Sequence, residues 1–383
     1  RYNGCGNGGR PYQPLRLLWK ESPFLYLVSM TTRKEFLRQA LALTGLSFTG
    51  MSFLALEEKE VEEFPCFDLH AHPGNFFMKG TDTYPGDEAV AKTVSDMQSG
   101  HVSGVFLSMV MDRPLLKRTE TGIVPTGMFS KGEGWKEYKR QVATLKDLFS
   151  RNSISLAKHV QDLTQALEKN QTAGFLSCEG GDFLEAADQL EEVYADGVRS
   201  IQLVHYAPNP LGDLQTHEAL HKGLSPLGKE VVRKMNALGM VIDVAHASYK
   251  TVQDVASLTQ APIILSHSIL KMEADRPIGA RAISPEHAKL IAQTGGVIGA
   301  WPSGFNKNFE EYVENILRLV EVVGIEHVGI GTDMDSNFKP VLDTYRQIPT
   351  LASALRSKGL SQVEVEKIML GNTQRVLRSV LKA

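Results

Sequence analysis

The sequence predicts an α/β protein, a single (β/α)8 TIM-like barrel. Two observations support this prediction: eight apolar runs of strand length recur from residue 64 onward, and amphipathic helical patterns separate them. Strands that helices cover on both faces are continuous apolar segments, and alternating strands and helices are typical of a parallel sheet. An open doubly wound sheet is the alternative, but its glycine-rich phosphate-binding loop does not occur in the sequence.

The composition is that of a globular protein rather than a disordered or fibrous one. The chain has 383 residues, of which 42% are hydrophobic and 22% charged, and barrels of this class reach that length with insertions. A net charge of −3 gives no reason to expect nucleic acid or an anionic membrane as a partner. The three cysteines, Cys5, Cys66 and Cys178, are too few and too scattered for a disulfide framework.

The first 63 residues are predicted to be a leader, and residues 64–383 one folded domain. After Met30, the basic pair Arg33-Lys34 precedes an apolar stretch over residues 41–56, which is the pattern of an export signal. The basic pair resembles a twin-arginine signal in which lysine replaces the second arginine. We therefore expect an exported protein, periplasmic or membrane-associated rather than cytoplasmic. An N-terminal helix packed on the domain is the alternative.

The strands and helices can be predicted one by one. The eight predicted strands are residues 64–69, 103–110, 173–178, 199–204, 240–245, 262–266, 296–300 and 327–332. Between them, Ser225 and Pro226 are typical of a helix start, and Gly239 is typical of its end. Ser361 and Glu364 have the spacing of a capping box, which predicts a further helix near the C-terminus.

Two histidines follow the first predicted strand. His70 and His72 are two residues apart, so their side chains are expected on the same face of the strand. Two neutral imidazoles in this arrangement can bind a divalent metal ion. The pair is a moderate signal alone, because this spacing also occurs by chance on protein surfaces.

Further ligand-type residues follow other predicted strands. These residues are Glu179, His205, His246, His267, Asp333 and Asp335. The C-terminal ends of the strands meet at one face of a (β/α)8 barrel, which is where the sites of such barrels lie. By contrast, the other histidines are expected in helices (His159, His217, His221, His287) or, as structural residues, at strand starts (His101, His327).

Each candidate also has a structural interpretation. His246 and His267 can equally be buried histidines with satisfied hydrogen bonds or helix caps. Asp68 and Asp243 lie inside predicted strands, where each can orient a histidine or form an ion pair. Glu179 is the sharper signal, because two glycines follow it directly and allow close backbone approach at a site.

The ligand set favours two metal ions. Four histidines (His70, His72, His246, His267) and one carboxylate (Glu179) suit two ions that share a bridge better than one closed tetrahedral site. Glu179 is then the bridge. Imidazole-rich ligation favours zinc, with manganese, cobalt and iron as alternatives. Two such ions lower the pKa of a bridging water and polarise a carbonyl, which is the chemistry of amide hydrolysis.

Several segments carry a family resemblance. They are residues 179–181, 223–232, 235–246, 264–268, 327–335 and 371–377. Together they resemble the membrane (renal) dipeptidase family, zinc-dependent amidohydrolase-type hydrolases with a (β/α)8 fold. The resemblance implies that one zinc takes His70, His72 and Glu179, and that the other takes Glu179, His246 and His267. Position 72 is usually aspartate in this family, so His72 is a departure from its pattern.

The resemblance also implies roles for residues around the metal ions. His205 matches the histidine that contacts the scissile group, and Asp333 matches the acidic residue after the last strand, which would pass a proton to the leaving amine. The family binds the substrate carboxylate with an arginine. Arg281 is the nearest match, with Arg276 as the alternative.

The expected activity is that of a metal-dependent dipeptidase, which by resemblance includes substrates with a D-residue at the C-terminal position. The alternative is another amidohydrolase-type reaction on the same site, with an N-acyl amino acid, a lactone or a cyclic amide as substrate. A barrel that binds metal or peptide without turnover is disfavoured by the intact ligand set, including Glu179 and Asp333. The resemblance further implies a homodimer.

Overall fold

The computed structural model describes residues 63–119, 122–271 and 280–382. All of the predicted leader, residues 1–63, except Glu63 lies outside the described residues, so the export signal stays a prediction. Arg276, the alternative carboxylate-binding residue, lies outside them as well. Within the described part of the chain, no helix combines the length and the apolar character that a bilayer crossing requires.

Eight parallel strands close into a barrel, as predicted. These strands are β1 (Cys66–Ala71), β2 (Val102–Val110), β6 (Thr172–Glu179), β7 (Val198–Gln202), β8 (Val241–Asp243), β9 (Ile264–Ser268), β10 (Val297–Ala300) and β11 (Val328–Ile330). They pair in chain order, and β11 pairs with β1 to complete the circle. Every strand end lies within two residues of its predicted position.

Three further strands were not predicted. β3 (Leu116–Thr119) and β4 (Gly122–Pro125) form an antiparallel hairpin after β2. β5 (Ile154–Ala157) pairs with the first half of β6, and β7 pairs with the second half of β6 from Leu176 onward. β2 pairs along the whole of β6, so β5 and β7 share the opposite edge of that strand.

Helices follow the barrel strands. Their bounds are α1 (Asp87–Ser99), α2 (Glu133–Ser150), α3 (Val160–Glu168), α4 (Gln189–Ala195), α5 (Pro226–Leu238), α6 (Tyr249–Leu258), α7 (Pro285–Gln293), α8 (Phe309–Val323), α9 (Ile348–Ser357), α10 (Gln362–Glu366) and α11 (Asn372–Val380). The predicted helix signals are confirmed. The Ser225 side chain accepts a hydrogen bond from Gly228 N at the start of α5, and Gly239 ends that helix at a φ of 78°. The capping box of Ser361 and Glu364 begins α10.

The placement of some histidines in helices was wrong. His287 lies in α7, but His159 directly precedes α3, and His217 and His221 lie in the long connection between β7 and α5. That connection contains several prolines and glycines, which interrupt helical hydrogen bonding. The prediction that His101 and His327 lie at strand starts is confirmed.

The barrel interior changes from apolar to polar along its axis. Phe67, Phe106 and Phe175 come from neighbouring strands, and their ring centroids lie 5.4–5.9 Å apart. They share a cluster with Val241 and Ile264 from the opposite side of the barrel, so this cluster fills the interior. Two residues further along β2, β8 and β9, the same faces carry Ser108, Asp243 and Ser266. The apolar layer therefore lies beneath a polar one at the C-terminal ends.

Candidate metal centre

Five of the predicted ligands meet at the C-terminal mouth of the barrel. His70 lies in β1 and His72 directly after it, Glu179 ends β6, His267 lies in β9, and His246 follows β8 at a φ of 64°. All five side chains are buried. The Glu179 carboxylate oxygens lie 3.3 Å from His70 Nε2, 3.4 Å from His72 Nε2, 3.6 Å from His246 Nε2 and 3.9 Å from His267 Nε2. The structure thus brings these residues together around one carboxylate.

The imidazole nitrogens face one another in two pairs. His70 Nε2 lies 3.1 Å from His72 Nε2, and His246 Nε2 lies 3.1 Å from His267 Nε2. Two nitrogens bound to one tetrahedral zinc ion at about 2.0–2.1 Å stand roughly 3.3 Å apart. Each pair therefore has the separation of two ligands of one ion, and Glu179 lies within reach of both pairs. The donor set fits a two-metal centre.

Hydrogen bonds fix the orientation of the first pair. His72 Nδ1 lies 2.7 Å from the backbone oxygen of Ser108, which can only accept a hydrogen bond. Nδ1 therefore donates to that oxygen, and the ring is held with Nε2 toward the centre. Nδ1 of His70 lies 3.2 Å from Ser108 Oγ and 3.3 Å from Ser266 Oγ, and Ser266 Oγ also lies 3.0 Å from His267 Nδ1. Such partners orient histidine ligands in metal sites.

The surrounding charges divide the imidazoles into two kinds. Burial lowers the pKa of His72, but hydrogen bonds with Asp333 and Glu179 outweigh burial and raise that pKa to about 10. Burial and neighbouring positive charges hold the pKa of His246 and His267 well below the usual range. The last two are therefore neutral, which is the form of imidazole that binds a metal ion.

Asp333 lies beside the first pair. It follows β11 at a φ of 54°, and its backbone N–H donates to the oxygen of His70 at 2.9 Å. One carboxylate oxygen lies 3.3 Å from His72 Nε2, and the side chain is 12% exposed. Asp333, His70 and His72 form a group whose ligand atoms all lie within 4.8 Å of one another. Asp333 can therefore act as a further ligand or exchange a proton with the open side of the site.

His205 is a further histidine close to the carboxylate of Glu179. Its Nε2 lies 3.3 Å from a Glu179 oxygen, and its Nδ1 lies 2.7 Å from Asp112 Oδ1. Burial lowers the pKa of His205, but Asp112 and Glu179 outweigh burial and raise it to about 9. Asp112 was not among the residues predicted from the sequence. Asp112 comes two residues after the end of β2, so the pattern of polar residues after strands also applied to it.

Arg281 is a buried cation beside the centre. Its Nη1 donates a 2.6 Å hydrogen bond to Gln215, and its guanidinium carbon lies 5.4 Å from the centroid of the Trp301 ring. Within the described residues, Nε and Nη2 of Arg281 have no hydrogen-bond partner. Burial lowers the pKa of Arg281. A buried guanidinium with unpaired donors is suited to bind an anion such as a carboxylate.

The expected roles of Asp68 and Asp243 were wrong. Asp68 accepts hydrogen bonds from His70 N, from both N and Oγ1 of Thr332, and from the Tyr345 hydroxyl. Asp243 accepts from the backbone N–H groups of Ala245 and Ser266. Neither carboxylate orients an imidazole or pairs with a cation. Both instead fix the backbone of segments that carry the candidate ligands.

Asp335, another candidate, lies outside the centre. Its carboxylate accepts 2.6 Å hydrogen bonds from Gly74 N and Thr93 Oγ1. The side chain therefore ties the connection after β11 to the one after β1. This contact is structural, and the ligand group at the centre includes Asp333 instead.

Sequence comparisons match this chain with proteins named as dipeptidases. The dipeptidase tcpJ of Claviceps purpurea is 31% identical over 248 residues, which are 62% of this chain and 57% of that protein. Dipeptidase 3 of Mus musculus is 29% identical over 247 residues, which are 60% of this chain and 50% of that protein. The chain thus spans about half the length of these two relatives.

Solved structures share the fold. A dipeptidase described as AC, a metallopeptidase of family M19, superposes with a TM-score of 0.69 at 22% identity, over 84% of this chain and 100% of that one. A metallopeptidase from Rhodobacter sphaeroides, solved with a phosphinate mimic of the dipeptide L-Ala-D-Ala, gives a TM-score of 0.69 at 20% identity, over 83% and 100%. The model of the membrane dipeptidase family matches residues 57–383, which include all the residues of the centre, and the chain therefore belongs to that family, peptidase family M19.

Proposed function

We propose that this protein is a metal-dependent dipeptidase that hydrolyses dipeptides, including those with a D-residue at the C-terminal position. The observation that carries the proposal is the convergence of four imidazoles on Glu179 at the mouth of the barrel. Family membership supports it, as do the relatives named as dipeptidases. The L-Ala-D-Ala mimic bound by the Rhodobacter sphaeroides metallopeptidase supports the D-residue preference.

The proposed cofactor is a pair of zinc ions. His70, His72 and Glu179 would hold one ion, and Glu179, His246 and His267 the other, in keeping with the two nitrogen pairs 3.1 Å across. Such ions supply Lewis acidity and an activated water molecule. His72 would give the first ion a neutral ligand where the family usually has an anionic one. A metal analysis of the purified protein distinguishes zinc from the alternatives, which are manganese, cobalt and iron.

The residues around the ions have separate tasks. Asp333, the more exposed carboxylate, accepts the proton of the attacking water and returns it to the leaving amine. His205, whose Nε2 is directed toward Glu179, hydrogen-bonds the oxygen of the scissile carbonyl as charge develops on it. Arg281 binds the terminal carboxylate through its unpaired Nε and Nη2, which favours substrates with a free C-terminus close to the scissile bond.

The test is metal analysis followed by hydrolysis of L-Ala-L-Ala, L-Ala-D-Ala and Gly-D-Ala. Close to two zinc ions per chain with turnover of these dipeptides is the expected result. In Glu179→Gln, we expect the fold to remain and the value of kcat/KM to fall more than about 100-fold, because a shared ligand is lost. An active variant with both metals would contradict the role of Glu179. Turnover of N-acyl amino acids or lactones, and not of dipeptides, would contradict the proposed function.

We also propose that the protein is exported and forms a homodimer. The basic pair Arg33-Lys34 and the apolar stretch over residues 41–56 support export. Fractionation of cells that express the full chain is expected to place it outside the cytoplasm, while a chain that begins at Glu57 remains inside. Light scattering of the purified protein measures the oligomeric state, and the mass of a monomer would contradict the homodimer.

A further inference from the structure

A fully buried carboxylate lies behind His205. Asp112 follows β2 by two residues and is 0% exposed. Its Oδ1 lies 2.7 Å from His205 Nδ1, and its Oδ2 accepts hydrogen bonds from the backbone N–H groups of Tyr206 at 3.0 Å and Ala207 at 2.9 Å. Both oxygens are therefore engaged, one with the imidazole and the other with the backbone that follows it.

His205 needs a partner of this kind because no strand holds it. β7 ends at Gln202, and His205 lies in the connection that follows. Asp112 comes from the connection after β2, on the far side of β6 in the barrel. The adjacent residue, Met111, donates its backbone N–H to the oxygen of Glu179 at 2.9 Å. The segment of Met111 and Asp112 therefore fixes both the backbone of Glu179 and the ring of His205.

The hydrogen bond also fixes the orientation of the His205 ring. A carboxylate can only accept, so Nδ1 of His205 donates to Asp112, and Nε2 is turned toward the Glu179 oxygen 3.3 Å away. A carboxylate behind a catalytic histidine likewise holds the ring in one orientation in serine hydrolases. Nothing in the proposed metal ligation requires Asp112.

We propose that Asp112 is a positioning residue, which holds His205 with Nε2 toward the scissile carbonyl of the substrate. The assignment of His205 to the substrate rests on the proposed function. Asp112 itself does not touch the substrate. Its effect on the reaction passes through His205, and this distinguishes it from a carboxylate that merely stabilises the fold.

The variant Asp112→Asn tests the hydrogen bond between Asp112 and His205 with little other change. The side-chain oxygen of asparagine can still accept from the N–H groups of Tyr206 and Ala207, which leaves its NH2 group facing His205 Nδ1. An NH2 group only donates, so the Nδ1–H of His205 loses the acceptor that holds it. The ring keeps its surroundings but loses the charge-assisted hydrogen bond that orients it. Asp112→Ala, which removes the partner altogether, is the second variant.

The expected loss in Asp112→Asn is about 10–100-fold in kcat, by analogy with the loss when the hydrogen-bond partner of a metal-binding histidine is removed. We expect KM to change less than about threefold and the metal content to stay the same. In a His205→Ala background, the same substitution should lower kcat less than about twofold, because the residue it acts through is absent. An equal loss in both backgrounds, or an unchanged kcat in both Asp112 variants, would overturn the proposal.

A second readout does not depend on turnover. Proton NMR of the metal-depleted protein should show a low-field resonance from His205 Nδ1–H that disappears in both Asp112→Asn and His205→Ala. The matched control is Asp96→Asn, which removes another buried carboxylate, one that binds Lys92 and Arg346 on the outer side of the barrel. This control should keep both the resonance and kcat. A resonance that survives Asp112→Asn would overturn the proposal, while missing dipeptide turnover with an intact resonance would count against the proposed function only.

Discussion

The imidazole of His72 lies between two carboxylates, Glu179 at 3.4 Å and Asp333 at 3.3 Å. An aspartate at this position, as the family usually has, would place three carboxylates together. Their mutual repulsion must then be offset by bound cations. A histidine at position 72 therefore makes the centre less dependent on metal for its own stability.

We expect His72→Asp to bind as much metal as the wild type and to keep the proposed activity, because aspartate is also a metal ligand. Its melting temperature should fall further on chelation than that of the wild type. The measurement is thermal unfolding with and without a chelator, with His72→Ala as the control that loses a ligand without adding charge. An equal fall in His72→Asp and the wild type would contradict this explanation.

Arg281 is the second residue whose role can be separated from that of the metals. Hydrogen bonds to a charged group contribute about 1.5–3 kcal/mol, so Arg281→Ala should raise KM roughly 10–150-fold with a smaller change in kcat. A dipeptide amide, which lacks the terminal carboxylate, provides the control substrate. We expect KM for the amide to be nearly unchanged by the substitution. An equal effect on both substrates would move the carboxylate-binding role to Arg276.

The candidate residues at the centre could be predicted from sequence because their positions follow from a local rule. A polar residue that ends an apolar strand of a barrel lies at the same mouth as the others, however far apart they are in the chain. His70, Glu179 and His267 all satisfy this rule. Gln215 does not, since it lies within the connection after β7, and its contact with Arg281 depends on the path of that connection. Local patterns carry no information about such paths.

At the scale of elements, close backbone contacts between β9, β10 and β11 hold the ligand-bearing end of β9. A Cβ atom on Gly299 in β10 would lie 1.8 Å from the backbone oxygen of Ser266, and one on Gly331, directly after β11, would meet the same oxygen at 1.8 Å. Ser266 precedes His267. These glycines thus allow β9 to lie where it brings His267 to the centre.

We expect Gly299→Ala to lower the free energy of unfolding by about 1–3 kcal/mol or more, because overpacking forces the neighbouring backbone to shift. The matched control is Gly371→Ala, where the nearest atom to the added Cβ is 3.5 Å away. Urea unfolding of both variants measures the difference. A Gly299→Ala protein as stable as the control would contradict the close contact.

The sequence predicted the eight barrel strands but not β3, β4 and β5. Barrel strands such as β2 and β6 are buried along their whole length and are therefore apolar throughout. In β5 only the first and last residues, Ile154 and Ala157, are buried, and the four-residue strands of the β3–β4 hairpin are largely exposed. Short exposed strands are stabilised by their pairing partners rather than by their own composition, so the sequence alone did not predict them.

At the scale of the whole molecule, the candidate ligands come from distant parts of the barrel. His70 lies in β1 and Glu179 in β6, while His246 and His267 come from β8 and β9 on the other side. Ions bound here would link the two sides of the barrel at its mouth. The unfolded chain has no such site, so metal binding would stabilise the folded state.

Removal of the metal ions should therefore lower the stability of the entire domain. A ligand at 1,000 times its dissociation constant stabilises a protein by about 4 kcal/mol, so we expect a chelator to lower the melting temperature by several degrees. Addition of zinc should restore it. Glu179→Gln serves as the control, since its melting temperature should respond much less to either treatment. If neither the chelator nor added zinc changed the melting temperature of the wild type, the proposed stabilisation of the domain by metal would be contradicted.

The layer of Phe67, Phe106 and Phe175 beneath the centre limits how molecules can enter and leave the site. It closes the bottom of the barrel, so the site is a well with one opening rather than a channel with two. In the proposed reaction, the dipeptide would enter, and both amino acids would leave, through the same mouth. An amino acid that stayed bound to Arg281 would then block the next substrate, so turnover would be fastest where the products are removed.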